Sequence, residues 1–194
     1  MQLPELIEST RKQIDPSGTL SAIGGAPPSG TSLTFLMQQQ EQTEWCWAAT
    51  AVSVSIFYDT HSSWTQCKVV NAELSLSACC NNGSSTQCNQ PWYLDRALQR
   101  TSNLNSMSSG AATYKTLNTE VENSHPLGCR IGWNLGGGHF VALHGYSNKI
   151  SGPTTENWVD VADPFYGSSS MLYDNFRTKY QNAGTWTHSY STKA

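Results

Sequence analysis

The chain has 194 residues, with 11 lysines and arginines against 14 aspartates and glutamates, a net charge near −3 and only 13% charged residues. That length suits one domain or two intimate lobes with a proper core, and without a basic block nucleic-acid binding has no electrostatic support. No stretch is long and apolar enough to cross a membrane, so neither class of partner is expected.

In chain order, residues 1–34 separate from the rest. Residues 3–14 show mixed helical spacing, and residues 15–34 are rich in Pro, Gly and Ser, as in a linker or extended arm. The expectation is an N-terminal leader or propeptide-like arm over 1–34 and a folded domain over 35–194; a leader without a regulatory task is the plainer alternative. The first residues carry no apolar core of signal-peptide length.

A glutamine-rich lead then runs through Gln40 into Trp45-Cys46-Trp47-Ala48-Ala49. Residues 45–58 are apolar nearly all round and predict a buried central helix, with Thr43 as its N-cap and Asp59 as its end. Cys46 would then stand in the first turn, where free backbone N–H groups and the helix dipole favour a negatively charged sulfur. The plainer reading is a cysteine that merely packs.

Residues 60–90 read as a loop with short helical pieces, such as 67–74, followed by a polar, cysteine-rich stretch. Asn89 is the expected cap of a second long helix from Pro91 to about Arg100, and a third covers 114–123. The apolar spacing then becomes alternating, predicting strands over 127–133, 139–146, 157–162 and 184–192, with a mixed segment at 171–180. Helices first and antiparallel strands later make an α+β protein with two lobes.

The chemistry concentrates in three places. Cys46 opens the central helix; His139 follows Gly136-Gly137-Gly138 at the mouth of a strand; Asp163 ends another strand before Pro164. A thiolate nucleophile needs an imidazole to exchange protons with the leaving group, and the imidazole needs a third group to orient it. Cys46, His139 and Asp163 supply those parts in order. The glycines could simply permit a turn. His144, on the same strand, points to the opposite face and serves as the control. His61, His125 and His188 lie in polar segments and read as surface residues. Asp160 and Asp59 compete with Asp163 in less defined contexts.

At these residues the sequence resembles the papain-like cysteine proteases, and within them a bacterial branch of secreted and effector peptidases related to plant-pathogen avirulence proteases. The matching pieces, over roughly 35–192, are the lead into Trp45-Cys46-Trp47-Ala48-Ala49, the cysteine cluster from Cys67 to Cys88, the Gly-Gly-His-Phe strand and Asp-Pro-Phe-Tyr-Gly. The resemblance implies a two-lobed fold in which a helical lobe carries Cys46 as nucleophile and a sheet lobe carries His139 as base and acid and Asp163 as orienting residue. It implies Gln40 as an oxyanion donor beside the Cys46 N–H, with Gln42 as runner-up, Trp47 in support and Phe165 as an aromatic shield for the acid and histidine. Papain itself has asparagine where Asp163 stands; an aspartate would form an ion pair with the imidazolium.

With Cys46 kept free, Cys67, Cys79, Cys80, Cys88 and Cys129 allow at most two bridges. A bond between the neighbours Cys79 and Cys80 is strained, so the working assignment is Cys67 with Cys79 and Cys80 with Cys88, leaving Cys129 reduced in its strand. A zinc knot is the rival, but no ligand spacing supports it, and neither a metal nor another cofactor is expected. Disulfides imply an oxidising compartment, so a secreted or delivered protein is expected, acting as a monomer on a protein or peptide substrate. Two other functions share these residues: another acyl transfer (transglutamination, deamidation or peptidoglycan cleavage) on the same triad, or a catalytically idle binding module with seven tryptophans as its recognition surface.

Overall fold

The computed structural model describes residues 29–151 and 153–194. The helical spacing expected over 3–14 and most of the arm lie outside them. Among the described residues no helix is long and apolar enough to cross a membrane.

Among the described residues the first element is a strand, β1 (Ser29–Ser32), which falls in the last part of the arm. The central helix α1 (Cys46–Tyr58) follows, then α2 (Gln66–Leu74) and α3 (Leu94–Arg100). The chain continues through β2 (Leu104–Ser109), α4 (Tyr114–Glu122), β3 (Leu127–Trp133), β4 (Gly138–Ser151), β5 (Thr154–Asp163), β6 (Gly167–Leu172), α5 (Tyr173–Lys179) and β7 (Gly184–Thr192). The strands form one antiparallel sheet in the order β2-β7-β3-β4-β5-β6, with β1 also paired to β4. The architecture is α+β and papain-like.

The sheet separates two cores. On one face α1 to α3 pack around Trp45, Trp47, Val52, Leu94 and Leu98 against Phe140 and Ala142 of β4. On the other, α4 and α5 cover Val141, Leu143, Val159 and Val161. Alternation along β4 makes this possible, because neighbouring residues feed opposite layers. Every residue of α1 from Cys46 to Ser55 is buried, as a helix without a polar face requires. Each large apolar side chain there contributes about 1.5–3 kcal/mol, so the position of its first residue is tightly determined.

Three local expectations change. The N-cap position of α1 is Trp45, with no side-chain cap; Thr43 instead receives a hydrogen bond from Asn89 Nδ2 at 2.8 Å. Because Asn89 also accepts from the Glu44 N–H, it is not the cap of α3. That helix starts at Leu94 rather than Pro91, since Tyr93 is extended and the Trp92 indole is drawn to Glu73 Oε2. β2 escaped the sequence reading because Leu-Asn-Ser-Met-Ser-Ser has almost no strand propensity; the ladder with β7 creates it. The mixed segment resolves into the end of β6 and α5.

The disulfides use the expected four cysteines in the other combination, Cys67–Cys80 and Cys79–Cys88. Adjacent side chains diverge: Cys79 and Cys88 are buried in the α1 core, whereas Cys80 is exposed and meets Cys67 on α2. Cys46 and Cys129 are free and buried. Burial raises the Cys129 thiol well above its ordinary value, consistent with a packing role in β3.

Candidate active site

β4 begins and β5 ends at the same edge of the sheet, because the two strands are antiparallel. That pairing places His139 beside Asp163, and α1 approaches the same edge with its first residue. Cys46 is 8% exposed, His139 7% and Asp163 2%.

His139 Nε2 lies 2.9 Å from both Asp163 Oδ1 and Oδ2. The Cys46 side chain is near enough to the imidazole to favour its charged form. With Nε2 committed to the carboxylate, Nδ1 is the nitrogen left to meet the sulfur. Burial pushes the imidazole pKa down, but the Asp163 charge and hydrogen bond, helped by Cys46, outweigh it and raise it to about 10. For Asp163, burial pushes upward, yet the His139 charge and hydrogen bond, with donors from Tyr180 and the Tyr166 N–H, hold it below its ordinary value. Both shifts favour the charged pair.

The local turn explains how the acid is aimed. Asp163 Oδ1 accepts from the backbone N–H of Phe165 at 2.6 Å and of Tyr166 at 2.8 Å, a side-chain-closed turn typical of aspartate. Gly167 completes it with φ of 81°, a left-handed value that disfavours other residues. On the opposite strand Gly136 and Gly137 have φ of 94° and 84° and turn β3 back into β4. The third glycine, Gly138, admits a neighbour: a Cβ there would fall 2.8 Å from Arg130 Nη2.

Sequence reasoning reached Cys46, His139 and Asp163, which the fold brings together. His144 faces the other layer, stacked on Phe35 with ring centroids 6.0 Å apart. Phe165 contributes its N–H to Asp163, while the rings set against the imidazole are Trp133, stacked at 6.0 Å, and Tyr166, edge-on at 6.2 Å. Tyr166 stood in the quoted motif; Trp133 carried no signal beyond its place at a strand end. Tyr180, whose hydroxyl donates to Asp163 Oδ2 at 2.7 Å, was hidden in the mixed segment. His188, read as a surface residue, lines the cleft instead.

Gln40 is joined to the acid's strand, its N–H donating to Pro164 O at 2.9 Å. Its carboxamide Nε2 donates to Gln42 O and Thr43 O, both at 2.8 Å, and Oε1 is buried without a partner among the described residues. The Gln42 side chain turns towards Gly83 in the disulfide loop. A buried glutamine that the sequence did not single out organises this lead: Gln66 accepts from the Glu41 N–H and donates to Gln38 and Gln39. Trp45 and Trp47 donate their indole N–H groups to Cys88 O and Gln90 O, so the stapled loop grips both sides of the cysteine.

Beside Cys46 opens a cleft of about 870 Å³, walled by Trp47, Trp92 and Tyr93 from the helical side and by Gly138, Phe140 and Tyr190 from the sheet. It is large enough for several side chains of an extended peptide.

A helix-borne thiol facing a strand-end imidazole, with helices first and an antiparallel sheet after, is the arrangement of papain-like thiol hydrolases. The family model described as papain-like cysteine protease AvrRpt2 matches residues 29–181, and the chain belongs to that family. It is therefore a cysteine protease, and its substrates are proteins. No curated protein matches the chain.

Proposed function

We propose that the protein is a cysteine endopeptidase in which Cys46 is the nucleophile, His139 the proton carrier and Asp163 the orienting anion. The carrying observation is that the buried carboxylate holds one imidazole nitrogen at 2.9 Å while the Cys46 side chain acts on the same ring. The sulfur attacks a peptide carbonyl and forms the C–S bond. His139 then gives its proton to the amine nitrogen as the C–N bond breaks, leaving a thioester. Water, losing a proton to His139, attacks that thioester; the C–S bond breaks and the thiolate returns.

The Cys46 N–H, free at the helix start, is one donor for the oxyanion. Gln40 is the other, exchanging one of its backbone contacts for the developing charge. Trp47 supports the site as part of the cleft wall, and Phe165 through the turn that holds Asp163. The leader over residues 1–34 precedes the peptidase domain over 35–194, with residues 29–32 tying the two through β4. Two disulfides favour a protein that is secreted or delivered outside the producing cell, acting there as a monomer.

Incubation with a peptide library, with cuts located by mass spectrometry, tests the activity. Cys46→Ala is expected to abolish cleavage, and iodoacetamide should label Cys46 faster than free cysteine. Residual turnover in purified Cys46→Ala would overturn the assignment.

A further inference from the structure

Asp163 has more partners than an orienting residue needs for one imidazole. Oδ1 takes two backbone N–H groups besides His139, and Oδ2 takes His139 and the Tyr180 hydroxyl at 2.7 Å. Its side chain has no solvent exposure, so every stabilising donor must come from the protein. An ionised carboxylate in such a place persists only when its lone pairs are satisfied.

Tyr180 is held for this task. It follows α5 directly, pairs through its backbone with Gly184, and is fully buried. Phe176 meets its ring edge-on at 5.3 Å, and Trp133 stacks on it at 6.4 Å. Trp133 also stacks on His139, so one indole aligns the tyrosine and the histidine on either side of the acid. The tyrosine is absent from the cleft lining. Burial first, and then the Asp163 charge, raise its hydroxyl well above the ordinary value, so it is a donor throughout any working pH range.

We infer that Tyr180 is a positioning residue of the triad, its buried hydroxyl holding the Asp163 carboxylate in the orientation and charge state that His139 requires. The inference rests on the triad reading above. The titratable groups acting on Asp163 are His139 from β4, Tyr180 after α5 and Tyr166 from the β5–β6 turn; Cys46 acts on it through His139. Removing the Tyr180 donor leaves Oδ2 with a single partner, and the carboxylate then protonates more readily as pH falls.

The test is Tyr180→Phe, with kcat and KM followed across pH on a peptide the parent cleaves. The acid limb of kcat/KM should rise by about one unit and kcat should fall about 10-fold, with KM unchanged. Phe176→Leu, which disturbs the same packing without touching the hydroxyl, should lower Tm and leave the acid limb in place. If Tyr180→Phe does not fold, a ring-fluorinated tyrosine at position 180, a stronger donor of the same shape, should move the acid limb downward. An unmoved acid limb in the folded variant, or in the fluorinated protein, overturns the inference while leaving the protease intact. Activity that survives Cys46→Ala would instead sink the triad reading beneath it.

Discussion

Asp163→Asn removes a charge while keeping the shape of the site. Because the N–H groups of Phe165 and Tyr166 both donate to Oδ1, the carbonyl oxygen of the amide must occupy that position. The amide nitrogen then replaces Oδ2, where the Tyr180 hydroxyl can turn to accept from it. His139 Nε2 can still donate to Oδ1, at 2.9 Å in the parent. What disappears is the anion that raises the imidazole from 6.5 to about 10. That rise, about 5 kcal/mol at 1.36 kcal/mol per pH unit, is net of the opposing effect of burial, which remains in the variant. The imidazole should therefore return to its ordinary range or below. At about pH 8 its protonated fraction drops to a few per cent or less, which predicts a loss of about 10²-fold in kcat/KM, while at about pH 5.5 the loss should be small. The assay is kcat/KM against pH, paired with the pH dependence of Cys46 alkylation by iodoacetamide. A variant whose alkaline limb coincides with that of the parent would refute the electrostatic argument.

The same pair sets a stability window. The raised His139 value contributes stability that is fully present below about 6.5 and lost as pH rises through about 10. The lowered Asp163 value contributes stability present above 3.8 and lost as pH falls. Denaturant titrations of Asp163→Asn and the parent should thus differ most between those limits and converge above about pH 10. Gln40→Ala should lower kcat by about 10²-fold to 10³-fold, as for loss of one oxyanion donor; kinetics on the same peptide check it, and a parent-like kcat would move the second donor elsewhere. Replacing Cys79 and Cys88 by serine opens a bridge of sequence separation 9, worth about 2.7 kcal/mol in chain entropy, so Tm should fall by about 5–10 °C. Because Cys88 O and Gln90 O hold the Trp45 and Trp47 indoles, Cys46 alkylation should slow as well; calorimetry and labelling report the two effects separately.

The sequence determined what could be carried by residue type and local pattern. The run after Trp45, apolar nearly all round, read as a buried helix, alternation around His139 made a strand, and Asp163 before Pro164 marked a strand end. The three chemistry-bearing residues stood in those contexts. The α+β class followed from the change of period along the chain.

Tertiary structure decided whatever depends on which surfaces meet. Cys79 and Cys80 differ in nothing the sequence displays, yet one faces the core and the other α2, and that reverses the expected pairing. β2 exists because β7 offers it a ladder, and α3 starts late because Tyr93 is extended and the Trp92 indole is drawn to Glu73. Tyr180 reaches the acid only after α5 packs beneath the sheet, and Trp133 reaches both rings only because β3 pairs with β4. Local pattern reflects the preferences of neighbouring residues, whereas a buried carboxylate must find donors wherever the fold brings them, and those donors come from three separate segments of the chain.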